Sequence, residues 1–265
     1  MILWFSGTGN SYIVARMLSK ALGDTIHRMD LSNASAINLA TEKRIIWVMP
    51  VHSWGMPKAV VKYIQQVQIE GGESAEHYLV ATCGDDAGLT AERWRKELRR
   101  RGWKAKSAFT VEMPNTYVLL PGFDTDSDDV AHNKLKKSIA RIDEIVDAIK
   151  HSTTNDSIVK GQFAWFKTYV IYPLFMHFMM SPKPFYATKR CIGCGLCEKV
   201  CPLKNIHLDA KTKKPHWDMD CTQCLGCYHV CPRNAVKYGK ATNGKGQWRE
   251  AIKSLLSDIN KGNTL

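Results

Sequence analysis

The sequence predicts an α/β protein in which a doubly wound parallel sheet precedes a smaller, cysteine-rich α+β module. Two observations support this prediction: residues 1–150 alternate short apolar runs with helical patterns, and eight of the nine cysteines lie between Cys191 and Cys231. With 265 residues, the chain is long enough for two modest domains that each bury a core. A hydrophobic content of 45% and a charged content of 23% exclude a disordered or collagen-like chain.

Five compact apolar runs in the first half are predicted to be strands. The centres of two of them, Ile45–Val48 and Tyr78–Ala81, are apolar without alternation, as expected for strands buried on both faces. Helical patterns separate the strands, and an alternation of strands with helices predicts a parallel sheet. The predicted strands are Met1–Phe5, Thr25–Met29, Arg44–Met49, His77–Cys83 and Lys106–Glu112, and the predicted helices are Ser11–Leu22, Pro57–Val67, Thr90–Arg101 and Asn133–Lys150.

The pattern changes after residue 150. A polar tract, His151–Lys160, is the best candidate for a linker, and an apolar segment, Phe163–Met180, follows it. A short C-terminal helix is predicted over Gln247–Ile259, beyond the cysteine-rich module. The resulting division is 1–152 for the sheet domain, 153–182 for the linker and apolar helical segment, 183–240 for the cysteine-rich domain and 241–265 for the C-terminal helix.

The apolar segment 163–180 has two interpretations. It is shorter than the ~20 residues that a membrane span needs, and Lys167, Pro173 and His177 interrupt it. A helical element packed between domains is the favoured interpretation, and peripheral contact with a membrane surface is the alternative. The first residues also lack the features of a secretory signal, so we expect a cytoplasmic protein whose closely spaced thiols bind metal.

A glycine-rich loop, Ser6–Ser11, directly follows the first strand and opens the first helix. Unpaired backbone N–H groups and the positive end of a helix dipole suit a phosphate there, and the glycines allow close approach. The loop lacks the Gly-Lys-Ser/Thr ending of nucleoside triphosphatases and the G-x-G-x-x-G spacing of dinucleotide folds. The alternative is a tight glycine turn with an N-cap serine.

This loop resembles the T/S-x-T-G-x-T phosphate loop with which flavodoxins bind flavin mononucleotide (FMN). The resemblance covers residues 1–150 and implies a five-stranded sheet of order 2-1-3-4-5. It also implies that FMN lies beyond the carboxyl ends of the strands. The predicted FMN-binding residues are Ser6, Gly7, Thr8, Gly9, Asn10, Ser11, Pro50, Val51, His52, Ser53, Trp54, Gly55, Thr82, Cys83, Gly84, Asp85, Asn115 and Tyr117.

Several of these residues have a second interpretation. Trp54 is expected to stack on the flavin ring as an exposed indole, or else to cover the sheet edge. His52 is a candidate proton donor or a satisfied loop histidine, and Cys83 is expected to be a small buried residue. Asn115 and Tyr117 contact the flavin or a substrate, unless their segment only turns the chain. The acidic loop that follows, Gly122–Asp129, is expected to be solvated, with a lid as the alternative.

Two copies of the motif C-x₂-C-x₂-C-x₃-C-P begin at Cys191 and Cys221. Three cysteines at this spacing ligate one [4Fe–4S] cluster, while the fourth, followed by proline, ligates the other cluster. Structural zinc is the alternative, but it does not need a third cysteine at the same short spacing. The predicted ligand sets are Cys191, Cys194, Cys197 and Cys231 for one cluster, and Cys221, Cys224, Cys227 and Cys201 for the other.

The module resembles bacterial two-cluster ferredoxins over residues 183–240, and Ile206 and Val236 are expected to pack under the clusters. The whole chain is similar to flavodoxin–ferredoxin fusion proteins of anaerobic bacteria and archaea. That resemblance implies an FMN-dependent oxidoreductase in which electrons pass between two [4Fe–4S] clusters and FMN. The alternatives are an electron carrier without a substrate and a redox-sensing or scaffold protein.

The net charge of +12 limits the choice of partners. Bound clusters and flavin phosphate would bring the net charge to about +6. Much of the excess lies on the helix around Arg93–Arg101, which is expected to form a solvated face or to dock an acidic redox partner. No nucleic-acid-binding motif accompanies it. We therefore expect a redox protein or a small-molecule electron acceptor as partner, and the sequence assigns no oligomeric state.

Overall fold

The computed structural model describes residues 1–32, 36–38 and 43–260. A five-stranded parallel sheet of order β2-β1-β4-β6-β7 forms its centre, so the predicted 2-1-3-4-5 sheet is confirmed. The strands are β1 (Ile2–Trp4), β2 (Ile26–Arg28), β3 (Ile37–Asn38), β4 (Arg44–Pro50), β5 (Ile69–Glu70), β6 (Glu76–Cys83), β7 (Ala105–Glu112), β8 (Phe185–Ala187), β9 (Ile206–Leu208), β10 (Pro215–Trp217) and β11 (Val236–Tyr238).

Helices cover both faces of the sheet. Trp47 of β4 packs into a core on one face, while Ile46 and Val48 pack into a core on the other, which explains why this strand is apolar throughout. The helices are α1 (Asn10–Leu22), α2 (Lys58–Gln66), α3 (Thr90–Arg100), α4 (Asp128–Lys150), α5 (Ala164–Phe166), α6 (Tyr172–Phe178), α7 (Leu196–Val200), α8 (Gly226–Val230) and α9 (Glu250–Asn260).

Helix α4 begins five residues before its predicted start at Asn133. Asp128 and Asp129 form its first turn, where negative charge interacts favourably with the helix dipole. Asp128 and Asp129 are exposed, as expected for a solvated segment, but they belong to the helix and not to the loop. Asp126, just before the helix, is itself held by an ion pair with Lys134 at 2.9 Å.

The predicted linker tract lies against the sheet. Ser157 forms a parallel bridge with Phe109. The Ser157 N–H donates to the Ala108 carbonyl at 2.9 Å, and the Ser157 carbonyl accepts from the Thr110 N–H at 3.1 Å. Val159 continues the contact, because its N–H donates to Thr110 Oγ1 at 3.0 Å. The tract thus covers the outer edge of β7, which would otherwise present unpaired backbone groups.

The apolar segment is helical from Ala164 to Phe178, with a π-helical turn over Lys167–Ile171 between α5 and α6. Its inner face contacts both domains: the Tyr172 hydroxyl donates to the Met56 carbonyl at 2.7 Å, and the Gln223 amide donates to the Met179 carbonyl at 2.6 Å. The helical packing predicted for this segment is therefore present. Its other face exposes large side chains, including Phe163 and Trp165. Among the described residues, no helix is both long and apolar enough to span a bilayer.

The cysteine-rich module contains two antiparallel strand pairs, β8 with β11 and β9 with β10. Its short helices α7 and α8 start next to left-handed residues, Gly195 and Leu225, directly after the first two cysteines of each motif. Helix α9 returns to the sheet domain and packs on α1, where Tyr12 and Arg16 both bind the carboxylate of Asp258. The module and α9 therefore meet the sheet domain on the side of the glycine-rich loop.

Candidate redox centres

Two cavities in the cysteine-rich module, each with about 350 Å³ of empty space, are lined by cysteine side chains. No three His, Cys, Asp or Glu side chains among the described residues converge where one metal ion could sit. The cysteines instead stand around the two cavities in the crossed sets that the motif predicts. The distal cavity is lined by Cys191, Cys194, Cys197 and Cys231, and the proximal cavity by Cys201, Cys221, Cys224 and Cys227.

The donor groups around the cavities fit a cluster with acceptor sulfurs. The N–H of Asn205 donates to Cys201 Sγ at 3.3 Å, and that of Ala235 donates to Cys231 Sγ at 3.2 Å. In the wall of the proximal cavity, the buried Thr222 Oγ1 has no hydrogen-bond partner among the described residues, and the buried Trp217 N–H interacts with the Cys227 thiol. Buried donors of this kind need an acceptor, and cluster sulfur is one.

The buried thiols also require a metal in order to ionise. Burial raises the pKa of Cys221 to about 11 and that of Cys224 to about 12. A thiol with such a pKa stays protonated at neutral pH unless coordination displaces its proton. Without a bound metal, these thiols are therefore not reactive nucleophiles at neutral pH.

The two cavities differ in their access to solvent. At the distal cavity, Ile192 is 58% exposed and Cys194 is exposed as well. At the proximal cavity, Cys227 is buried and Cys224 packs against the core of the sheet domain. Ile206 lines the proximal cavity and Val236 the distal one, as expected for apolar side chains under two clusters.

The glycine-rich loop Ser6–Ser11 keeps the backbone geometry of an anion site. Gly9 has φ +97°, a conformation that favours glycine, and its N–H donates to Ser6 Oγ at 3.0 Å. The structure records no acceptor among the described residues for the N–H groups of Gly7, Thr8 and Asn10. Free amides at the start of a helix are a typical binding place for a phosphate group.

The loop is enclosed by the rest of the chain. A Cβ added at Gly7 would clash with Cβ and the carbonyl oxygen of Cys224, a cysteine of the proximal cavity. A Cβ at Gly226 would meet the Gly7 carbonyl, and one at Gly9 would meet the carbonyl of Ala251 in α9. The glycines of this loop therefore allow the cysteine-rich module and α9 to approach its backbone closely.

A buried hydrogen-bond chain fixes this arrangement. The Asn10 amide donates to the Pro114 carbonyl at 2.8 Å and accepts from Trp248 Nε1 at 3.0 Å. The Trp248 N–H donates to His229 Nδ1 at 3.0 Å, which leaves Nε2 to donate to the Thr116 carbonyl at 2.8 Å. These hydrogen bonds connect the glycine-rich loop, the segment after β7, the cysteine-rich module and the residues just before α9.

The loops after β4 and β6 lie beside the glycine-rich loop, as predicted. Ser11 Oγ and Thr82 Oγ1 are 2.8 Å apart, and the Val51 N–H donates to the Thr82 carbonyl at 2.8 Å. Pro50 ends β4, and Gly84 and Asp85 continue beyond β6. The carboxyl ends of the two central strands and the start of α1 therefore form one edge of the sheet.

Trp54 is partly buried, which corrects the expectation of an exposed indole. Ser53 and Trp54 are both left-handed, at φ 47° and 62°, in a tight turn closed by His52 and Gly55. Lys167 Nζ lies 5.1 Å from the centre of the Trp54 ring, and Thr168 Oγ1 donates to the Trp54 carbonyl at 2.9 Å. The apolar segment thus covers this loop, and sequence reasoning missed that contact because it joins residues more than 100 positions apart.

Three other predicted residues have clear surroundings. Cys83 is buried, and burial raises the pKa of its thiol to about 12, so it is not a nucleophile at neutral pH. The backbone N–H of Asn115 donates to the Asp126 carboxylate at 2.9 Å, and Lys134 forms an ion pair with the same carboxylate. The Tyr117 ring contacts the rings of Phe123 and Phe175 and packs against the core of the cysteine-rich module.

His52 is partly buried, and its ring lies next to the Phe5 ring. Burial lowers the pKa of this imidazole from 6.5 to about 4. The side chain is therefore neutral at pH 7 and holds no imidazolium proton to donate. Its folded-state pKa lies below its unfolded value, so the stability that it contributes is complete above pH 6.5 and is lost as the pH falls towards 4.

We expect His52→Gln to reduce the loss of stability between pH 7 and about 4.5, because it removes a group that must take up a proton on unfolding. Chemical denaturation at the two pH values measures this difference. His27→Gln, a change at an exposed histidine, serves as the control. If His52→Gln and the wild type lose the same stability on acidification, the assigned pKa of His52 is contradicted.

Comparison with known proteins gives two family matches at opposite ends of the chain. A flavodoxin domain model matches residues 1–116, and a 4Fe-4S dicluster domain model matches residues 190–235. The hydrogenase-2 operon protein HybA of Escherichia coli is 41% identical over 56 residues, which are 20% of this chain and 17% of HybA. The uncharacterized protein MJ0749 of Methanocaldococcus jannaschii is 34% identical over 53 residues, 20% of each protein. The matched segment thus spans a fifth or less of these relatives.

Solved structures resemble the sheet domain at low identity. The Trp repressor binding protein from Bacillus subtilis is 14% identical with a TM-score of 0.34, over 53% of this chain and 95% of that one. A Streptococcus pneumoniae flavodoxin is 11% identical with a TM-score of 0.35, over 57% of this chain and 97% of that one. From the two family matches and the parallel sheet, the chain joins a flavodoxin domain to a 4Fe-4S dicluster domain, the composition of a flavodoxin–ferredoxin fusion.

Proposed function

We propose that this protein transfers electrons between two [4Fe–4S] clusters and an FMN held in the same chain, as an FMN-dependent oxidoreductase. The flavodoxin and ferredoxin domains indicate electron transfer, and the specific route within the chain is our proposal. One observation supports it most directly: the Cys224 backbone and Cβ pack against Gly7 of the phosphate loop. A cluster in the proximal cavity would then lie next to the cofactor site of the flavodoxin domain.

The chain's own residues define an entry side and an inner side. The distal cavity, with exposed Cys194, faces solvent and is the place where a partner would donate or accept electrons. The proximal cavity is lined by Phe185 and Trp217, whose rings stack, and it lies next to the phosphate loop. Iron–sulfur clusters carry single electrons, and a bound flavin supplies the ability to take up one or two.

The residues of the flavodoxin domain would hold FMN by its phosphate. The unpaired amides of Gly7, Thr8 and Asn10 at the start of α1 would bind the phosphate. The loop that contains Trp54 and the end of β6, which contains Thr82, would lie beside the flavin ring. His52 is neutral at pH 7 and holds no imidazolium proton to donate. The role that we propose for these residues is therefore to bind and orient the cofactor.

An electron carrier without a substrate is the second candidate, and the enclosure of the site favours it. The apolar segment covers the loop around Trp54, and the cysteine-rich module covers the phosphate loop. Such an enclosure leaves the exposed distal cavity as the route to a partner. A substrate-dependent oxidation of the reduced protein by a small molecule, at a rate above its reaction with dyes, would exclude the carrier.

Stepwise reductive titration of anaerobically purified protein tests the proposed function. We expect about eight irons and one FMN per chain, with absorbance and EPR changes for two clusters and one flavin. About four irons would contradict the two-cluster assignment. Eight irons without bound FMN, even after incubation with excess FMN, would contradict the proposed flavin role and leave a two-cluster ferredoxin.

A further inference from the structure

Arg28 is a partly buried cation that none of the roles above uses. It lies at the end of β2 in the flavodoxin domain, and its guanidinium carbon is 5.8 Å from the centre of the Trp4 ring. Its Nη2 atom is buried and has no hydrogen-bond partner among the described residues. A guanidinium group with a buried, unpartnered N–H group is costly unless an acceptor or a negative charge faces it.

The groups that face Arg28 are cysteines of the proximal cavity. Burial lowers the pKa of Arg28, and the charges that oppose this effect are Cys224, then Cys201, then Asp30. Trp4, the cross-strand neighbour of Arg28, lies three residues before Gly7, whose backbone packs closely against Cys224. The guanidinium therefore belongs to one domain and interacts electrostatically with the cysteines of the other.

We propose that Arg28 raises the reduction potential of the proximal cluster and thereby makes it the electron acceptor from the distal one. This inference rests on the assignment of a [4Fe–4S] cluster to the proximal cavity. Reduction adds one electron from an external one-electron donor and neither forms nor breaks a bond. The charge of the cluster with its four thiolates changes from about −2 to about −3. A nearby cation stabilises the more negative state, and in a buried site this effect is little screened.

The cations at the distal cavity are more exposed to solvent. Arg233 lines this cavity, but its side chain is exposed. Lys237 is attracted by Cys231, but its ammonium group lies on the partly exposed edge of the module and also binds Asn234 Oδ1 at 3.0 Å. The two cavities thus have cations of different burial and geometry. This asymmetry predicts that the proximal cluster has the higher potential.

The test is an EPR-monitored potentiometric titration of the anaerobic full-length protein and its variants. Arg28→Met should lower the proximal cluster's equilibrium constant for reduction by about tenfold, which is 59 mV for one electron. Arg28→Lys, which keeps the charge, should lose less than half of that shift. The matched control Lys237→Met should leave the potential of the proximal cluster unchanged. It should shift the potential of the distal cluster by less than Arg28→Met shifts that of the proximal cluster.

The iron content of the wild type and the variants distinguishes a failure of the proposed function from a failure of the inference about Arg28. Wild-type protein with about eight irons establishes both clusters independently of Arg28, whereas fewer irons would refute the proposed function itself. If Arg28→Met assembles only one cluster, Arg28→Gln provides the same neutral comparison. The inference is overturned if neutral variants with a full complement of iron keep the wild-type potentials, or if Arg28→Lys shifts the proximal step as much as Arg28→Met.

Discussion

Cys224→Ala is expected to reduce the iron content from about eight to about four per chain. The substitution removes one of the four thiols of the proximal cavity, while the Cβ that packs against Gly7 remains. Docking of the two domains should therefore survive, and the distal cluster should give the only EPR signal of a reduced cluster. Iron analysis together with EPR of the reduced, anaerobically purified variant measures the effect.

The ninth cysteine provides a matched control for this prediction. Cys83 is buried at the end of β6 in the flavodoxin domain and lines neither of the two cavities. Cys83→Ala should retain about eight irons and both cluster signals. A Cys224→Ala protein with eight irons, or a Cys83→Ala protein with four, would refute the assignment of the proximal ligand set.

Asn10→Asp is expected to weaken FMN binding at least about 100-fold, or about 3 kcal/mol. The new carboxylate would face the doubly charged phosphate at the start of α1, and like charges in a partly buried site repel strongly. It also loses the amide that donates to the Pro114 carbonyl, but it still accepts from Trp248 Nε1. Fluorescence titration of the flavin-free protein with FMN measures the dissociation constant.

Asn133→Asp controls for the added charge. Asn133 is exposed on α4, so this variant has the same net charge as Asn10→Asp without a carboxylate at the phosphate loop. We expect its affinity for FMN to equal that of the wild type, with both clusters intact in both variants. Equal FMN affinities of Asn10→Asp and the wild type would show that the phosphate does not bind at this loop.

The parallel sheet could be predicted because its strands carry their signal locally. Ile45–Val48 and Tyr78–Ala81 are apolar on both faces, and the structure buries them between two layers of helices. The edge pairing of Ser157 could not be predicted, since it uses backbone groups and leaves no apolar pattern in the polar tract. The sequence does not reveal the early start of α4 because its first turn begins with two aspartates, Asp128 and Asp129.

The cluster cysteines were predictable for a similar reason: the short spacing of the motif sets which thiols can surround one cavity. The rest of the site depends on contacts between distant parts of the chain. Trp248 meets Asn10 across 238 positions, and Arg28 meets cysteines from a separate module. No local pattern marks such residues, because their roles arise only when the cysteine-rich module docks on the phosphate loop.

The central claim is that electrons pass between the proximal cluster and FMN within one chain. Its most direct test is the transient kinetics of flavin reduction after a sub-stoichiometric pulse of a one-electron reductant, measured at several protein concentrations. We expect a first-order phase whose rate constant does not change with protein concentration and which is absent from Cys224→Ala. A rate proportional to protein concentration, or an unchanged phase in Cys224→Ala, would contradict this account.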